Sequence, residues 1–323
     1  MPRIDKGWVL AGLVLPALFA VTFVINQKHL GTNTINLSES MEITTAGTYR
    51  LSGTIDDGMI TVNVKKELGK VKLILDNLSI KNSKGPALAC YSADEMVIEL
   101  IGDNYLEDGR EYADNLDEDV KGALYSKDDV IFQGDGVLNV MANYEDGIVG
   151  KDDLIFNEGF YIVSAVDDAV RAKEHLLVNG GTIKVLKSRE GFESESITIN
   201  DGKISIQAYD DGMNANVKNY SGVDADASIT INGGEIYIDS GSDGLDSNGN
   251  IYLNGGYVEI SLPPDTDGEA LDASGEVFMN GSAVVIYQGS IKNDYYDYVD
   301  SENGHEYSYE NSTEKNYDYR QNT

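Results

Sequence analysis

From Gly122 to Gly281 one pattern returns about every 22 residues: an apolar residue, a small one two positions later, a short apolar pair, Asn-Gly, and a second apolar pair. It is seen in GIVGKDDLIFNEGFYIV, GFESESITINDGKISI and GLDSNGNIYLNGGYVEI. A period of about 20 to 30 residues that carries strand signals and no helical pattern predicts a solenoid, in which each repeat buries its apolar face against the next.

Placed in register, the repeats form columns. Leu88, Leu124, Ile148, Val170, Phe192, Met213, Leu245 and Leu271 share one apolar column. Two positions on stand the small residues Cys90, Ser126, Gly150, Ala172, Ser194, Ala215, Ser247 and Ala273. Alternation with a period of two puts both columns on the inner face of one strand. Pairs such as Leu154/Phe156 and Tyr161/Val163 supply two further strands per coil. Between these two strands recur Asn179-Gly180, Asn232-Gly233, Asn254-Gly255 and Asn280-Gly281, with Asn157-Glu158-Gly159 and Asn200-Asp201-Gly202 as variants. A single Asn-Gly suggests a hairpin turn. One per coil, with glycine expected to supply positive φ at the corner, suggests an all-β chain wound as a parallel β-helix with an Asn ladder. An up-and-down barrel or a sandwich is the fallback.

The 323 residues divide into one elongated domain, residues 31–290, and two tails. Residues 1–30 carry Arg3 and Lys6, then an uncharged run from Trp8 to Ile25, which predicts an anchor helix with its amino terminus in the cytoplasm. A cleaved signal is the competing reading; no clear A-x-A site follows the run. In both cases the domain is expected outside the cytoplasm, at the cell surface or secreted. Residues 291–323 form an acidic, Tyr-rich tail with no aliphatic period. A formal charge of −31 makes nucleic acid an unlikely partner. The single cysteine, Cys90, falls in the inward small column, and three histidines leave little material for a Ser-His or Cys-His nucleophile. A monomer is expected.

The outward columns hold the functional signal. Asp146, Asp168, Glu190, Asp211 and Asp243 stack coil upon coil, with Glu145, Asp167 and Asp210 just before them and Arg171, Glu193, Asn214, Asp246 and Asp272 three residues after. Equivalent residues of adjacent coils lie about 4.8 Å apart, so these carboxylates destabilise one another unless a cation intervenes. Calcium, which takes six to eight oxygen ligands, is expected on Asp167, Asp168, Glu190, Asp210, Asp211, Asp243 and Asp246. A plain solvated acidic face is the alternative. Next to the acids, Lys127, Lys151 and Lys173 form a basic row in three successive coils. Either they pair with the Asp row, or, with Arg171, Glu193 and Asn214, they line a groove for an anionic polysaccharide.

The segments AVDDAVRAKEHLLVNGGTIKV and AYDDGMNANV…SITINGGEIYI resemble the clostridial-type carbohydrate-binding β-helix proteins, a pectate-lyase-like family. The resemblance covers about residues 35 to 290 and implies a right-handed parallel β-helix, bound calcium, a cell-surface setting and binding of plant cell-wall polysaccharide, acidic pectic sugars or cellulose. By position it places calcium on Asp167, Asp168, Asp210, Asp211, Asp243 and Asp246. The rival is a pectate lyase, for which Arg171, Lys173 or Arg189 would remove the proton next to the substrate carboxylate. A purely structural or adhesive surface protein is the third reading. Binding with little or no catalysis is the expectation.

Overall fold

The structure, a computed structural model, describes residues 34–216, 227–264 and 266–288 and two short strands, Asp297–Val299 and Glu306–Ser308. The anticipated anchor over residues 1–30 lies outside the described residues, as does nearly all of the Tyr-rich tail. No helix among the described residues is long and apolar enough to cross a membrane.

The described chain is all-β, with no α-helix and a single 3-10 turn at Lys66–Leu68. Its strands form a sheet of ten short strands, from Met41–Ile43 to Leu271–Ala273, and a sheet of twenty-one. Pairing is parallel throughout, except between Asp297–Val299 and Glu306–Ser308. Each strand lies against its equivalent one repeat further on. Ile148 stands opposite Leu124 and Val170, Val170 opposite Phe192, and Phe192 opposite Met213. The chain therefore stacks in coils, each giving one strand to the small sheet and two to the large one, as the column pattern requires.

The two faces of the large sheet are joined at the start of the stack. Val71–Lys81 pairs with Met96–Ile101 over its first half and with Asp103–Glu107 over its second, so one unbroken strand turns a corner that later coils make with a turn. At that corner Asn77 has a φ of 55°, a left-handed conformation that asparagine tolerates better than most residues. In later coils the left-handed residue is Gly159, Gly181, Gly202, Gly234 or Gly256. Each stands two positions after the Asn rather than one, so Glu158 and Asp201 fit between without strain. The Asn ladder itself is present: Asn179 donates to Asn157 at 2.9 Å, Asn200 to Asn179 at 2.8 Å, Asn232 to Asn200 at 2.8 Å, Asn254 to Asn232 at 2.9 Å and Asn280 to Asn254 at 2.8 Å.

The interior is one continuous column of Leu, Ile and Val, with an aromatic plug at Phe132 and Phe156, whose rings stack at 4.6 Å, and Tyr161 set edge-on to both. The Tyr161 hydroxyl donates to the Glu158 carbonyl at 2.6 Å, which satisfies its one polar atom. Cys90 is fully buried in the small inward column, and burial pushes its thiol up to about 12. It is a core residue rather than a nucleophile.

Candidate functional site

On the outer face of the ten-stranded sheet the middle residue of each short strand points away from the core. In register from the third strand on these are Ala89, Tyr125, Val149, Arg171, Glu193, Asn214, Asp246 and Asp272, preceded by Glu42 and Thr61. The row changes character after Val149, from apolar to charged. Over its apolar part folds segment 108–121, whose Val120 packs with Ala89, Tyr125 and Val149 as a small second core. Beyond the edge of that segment lies a cleft of about 120 Å³ lined by Val149, Lys151, Arg171, Lys173, Glu193 and Asn216, among others.

The base of the covering segment is fixed by Asp108. Its carboxylate accepts the Asn143 backbone N–H at 2.5 Å and the Tyr112 hydroxyl at 2.8 Å, and the Tyr112 ring stacks on Tyr144 at 4.3 Å. Burial outweighs these hydrogen bonds and pushes the Asp108 carboxyl up to about 6. A raised carboxyl pKa means that the folded chain binds the proton more tightly than the unfolded one, so this group's stabilising contribution is complete only below the ordinary value of 3.8 and is lost as pH rises through about 6. The expected loss is up to about 3 kcal/mol. Urea unfolding of wild type and Asp108→Asn at pH 4, 5, 6 and 7 checks this: the difference in stability should change between pH 4 and 6 and level off above, and parallel profiles would contradict it.

The acidic column stands just before the short strands, at one edge of the same face. Several members hold the backbone of the next coil: Asp146 Oδ1 accepts from the Asp168 N–H at 3.2 Å, Asp211 Oδ1 from the Asp243 N–H at 3.0 Å, and Asp243 Oδ1 from the Glu269 N–H at 2.5 Å. Asp168 breaks the series, for its Oδ1 is buried with no hydrogen-bond partner.

Two arginines neutralise the first half of the column. Arg171 Nη1 bridges Asp168 Oδ2 and Glu193 Oε2, both at 3.0 Å. Arg189 contacts Asp167 through Nε, Glu190 at 3.0 Å and Asp210 at 3.3 Å, with Asp168 Oδ1 at 3.8 Å. Asn214 adds a donor to Glu190 and Asn216 one to Glu193, each at 3.2 Å. Burial still dominates at Glu190, whose carboxyl is pushed up to about 7 with help from Glu193, and it raises Asp146 and Asp168 as well. The arginines are held in their charged form: despite burial, neighbouring carboxylates raise the pKa of Arg171, and hydrogen bonding to Asp167 raises that of Arg189. A lyase base needs the opposite shift.

The second half of the column has no such neutralisation. Asp211, Asp243 and Asp246 each place a carboxylate oxygen within 4.8 Å of the others, and among the described residues no Lys or Arg forms an ion pair with any of the three. Burial first, and then like charge, pushes Asp211 up to about 6 and Asp246 to about 7 and raises Asp243. Three converging carboxylate oxygens suit a hard cation such as calcium. The expected calcium ligands thus fall into two groups: Asp167, Asp168, Glu190 and Asp210 around the arginines, and Asp211, Asp243 and Asp246 around an uncompensated centre.

The lysine row is placed as expected but partnered otherwise. Lys127 pairs with Asp117 at 3.0 Å and Lys151 with Asp119 at 3.6 Å, both acids on the covering segment, while Lys173 pairs with its neighbour Glu174 at 3.4 Å. Pairing with the Asp column does not occur. The segment occurs once in the chain, so no repeat register pointed to it. A further group was missed on the opposite edge, where Asp129, Asp152 and Asp153 converge and Asp153 meets Glu174 and His175. The Lys-Asp-Asp triplets at Lys127 and Lys151, aligned with Lys173-Glu174-His175, carried that signal.

Comparison with known proteins follows this geometry. A family model for carbohydrate-binding domain-containing proteins matches residues 38–220 and 216–268. A curated carbohydrate-binding domain-containing protein of Acetivibrio thermocellus is 37% identical over 147 residues, which cover 43% of this chain and 51% of that protein. The match thus spans about half the length of that relative. The solved structure of the polysaccharide lyase-like protein from C. thermocellum, a gadolinium derivative, aligns with a TM-score of 0.57 at 26% identity, over 77% of this chain and 90% of that one.

Proposed function

This chain belongs to the family of carbohydrate-binding domain-containing proteins, and we propose that it binds an acidic cell-wall polysaccharide on the outer face of its ten-stranded sheet with the help of calcium. The observation that carries this reading is that one face carries both an uncompensated Asp211–Asp243–Asp246 group at its acidic edge and, toward the opposite edge, the cleft flanked by Lys151, Lys173 and Asn216. Bound there, calcium would offset the three carboxylates and present positive charge to a uronate carboxylate of the glycan. Lys151 and Lys173 supply further charge, and Asn216 and Glu193 supply hydrogen-bonding groups for sugar hydroxyls. Coils rising about 4.8 Å match the length of a sugar unit in an extended chain, so successive residues of the polymer meet successive coils of a right-handed parallel β-helix. Acidic pectic sugars fit this charge pattern better than cellulose does.

Binding is favoured over lyase chemistry because Arg171 and Arg189 are clamped between carboxylates that keep them protonated. The apolar run within residues 1–30 accords with export on an uncleaved anchor, into surroundings where calcium is plentiful. The test is retention of the full chain on immobilised polygalacturonate and on cellulose, with calcium and with EDTA, while absorbance of 4,5-unsaturated product is followed. The expected result is calcium-dependent retention on polygalacturonate with no product. Failure to bind any acidic glycan would overturn the proposal, and steady product formation would make the protein a lyase.

A further inference from the structure

Beneath segment 108–121 the apolar part of the outward row carries a polar atom with nothing to bond. Tyr125 is fully buried there, and its hydroxyl has no hydrogen-bond partner. A buried hydroxyl left unbonded is destabilising, so a site shaped only for packing would favour phenylalanine. Tyr91 lies beside it, ring centroids 6.4 Å apart, and Val149 continues the surface directly into the cleft. At the rim of the same patch stand Lys127 and Lys151, each paired with an aspartate of the covering segment.

The two ends of that segment are held differently. Its base is tied down by the buried Asp108, Tyr112 and the Tyr144 stack. Its tip rests on Val120 and on two exposed ion pairs, Asp117–Lys127 and Asp119–Lys151, with the aspartates 49% and 71% exposed. Exposed ion pairs contribute little to stability, so the tip is the weakly held part.

We propose that segment 108–121 caps a second part of the glycan site, with Asp117 and Asp119 standing where two uronate carboxylates of the polymer bind. When the tip lifts, Tyr125 and Tyr91 offer aromatic faces to a sugar ring, the Tyr125 hydroxyl gains a sugar hydroxyl as partner, and Lys127 and Lys151 exchange aspartate for uronate. The chain's own carboxylates therefore compete with the ligand, and the apparent affinity is lowered by the fraction of time the cap is closed. The inference rests on the acidic-glycan reading above.

Calorimetric titration of the full chain with an oligogalacturonate in calcium tests it. Asp117→Asn/Asp119→Asn should bind roughly five- to tenfold more tightly than wild type. Tyr125→Phe should bind several-fold more weakly while melting no lower than wild type, which separates a ligand contact from a folding role. Amide exchange across residues 114–121, measured without ligand, should speed up in the double aspartate variant. If wild type binds and the double variant binds no more tightly, or if its exchange is unchanged, the capped subsite is overturned while the main site stands. If neither protein binds, both proposals fall.

Discussion

Replacing Arg171 with alanine should lower stability by about 3–5 kcal/mol, the range expected when one member of a buried ion pair is removed. One guanidinium nitrogen holds Asp168, whose side chain is fully buried, and Glu193, whose side chain is 13% exposed, each at 3.0 Å. Without it the two carboxylates face each other across adjacent coils, and Asp168 already carries one oxygen with no hydrogen-bond partner. Arg189 cannot take over, since it is committed to Asp167, Glu190 and Asp210 and comes only to 3.8 Å of Asp168. Lysine at position 171 keeps the charge but not the planar fork, so Arg171→Lys should recover part of the loss. Adding Asp168→Asn to Arg171→Ala should recover more, because the charge that needed a partner is gone. Denaturant unfolding of the four proteins at one pH measures this. A change of less than about 0.5 kcal/mol for Arg171→Ala, the size of an ordinary surface substitution, would show that the arginine is not what holds these coils together.

The coil architecture was legible in the sequence because each periodic column answers to one physical demand that recurs in every coil. Leu154, Leu176 and Ile197 fill the same interior position, and Asn157, Asn179 and Asn200 form one ladder. The corner glycine was placed correctly at Gly159, Gly202 and Gly281 but one residue early at Gly180, Gly233 and Gly255, since Asn-Gly is the familiar turn signal and yet the left-handed residues there are Gly181, Gly234 and Gly256. What a column cannot show is how its charges are divided among partners. Arg171 and Arg189 lie within the span of the acidic column, but only their reach across coils makes Asp168, Glu190 and Glu193 an arginine-neutralised group and leaves Asp211, Asp243 and Asp246 with no Lys or Arg partner among the described residues. Segment 108–121 was invisible for another reason. It belongs to no repeat, and Asp117 and Asp119 find their lysines ten and thirty-two residues away.

The division of the acidic column is also why we propose calcium at one end of it. Asp246 is the informative position, because Asp211 and Asp243 also hold backbone N–H groups and their replacement would disturb the coil itself. Calcium affinity follows the number of charged oxygen ligands, so Asp246→Asn should weaken calcium binding tenfold or more with little change in fold. If the metal presents the site to uronate, glycan affinity must fall with it. The deciding measurement is the affinity of the full chain for an oligogalacturonate at saturating calcium and in EDTA, for wild type and Asp246→Asn. Tight binding by wild type only in calcium, and at least tenfold weaker binding by the variant, is the expected result. Equal affinities in all four conditions would contradict a calcium-assisted glycan site on this face.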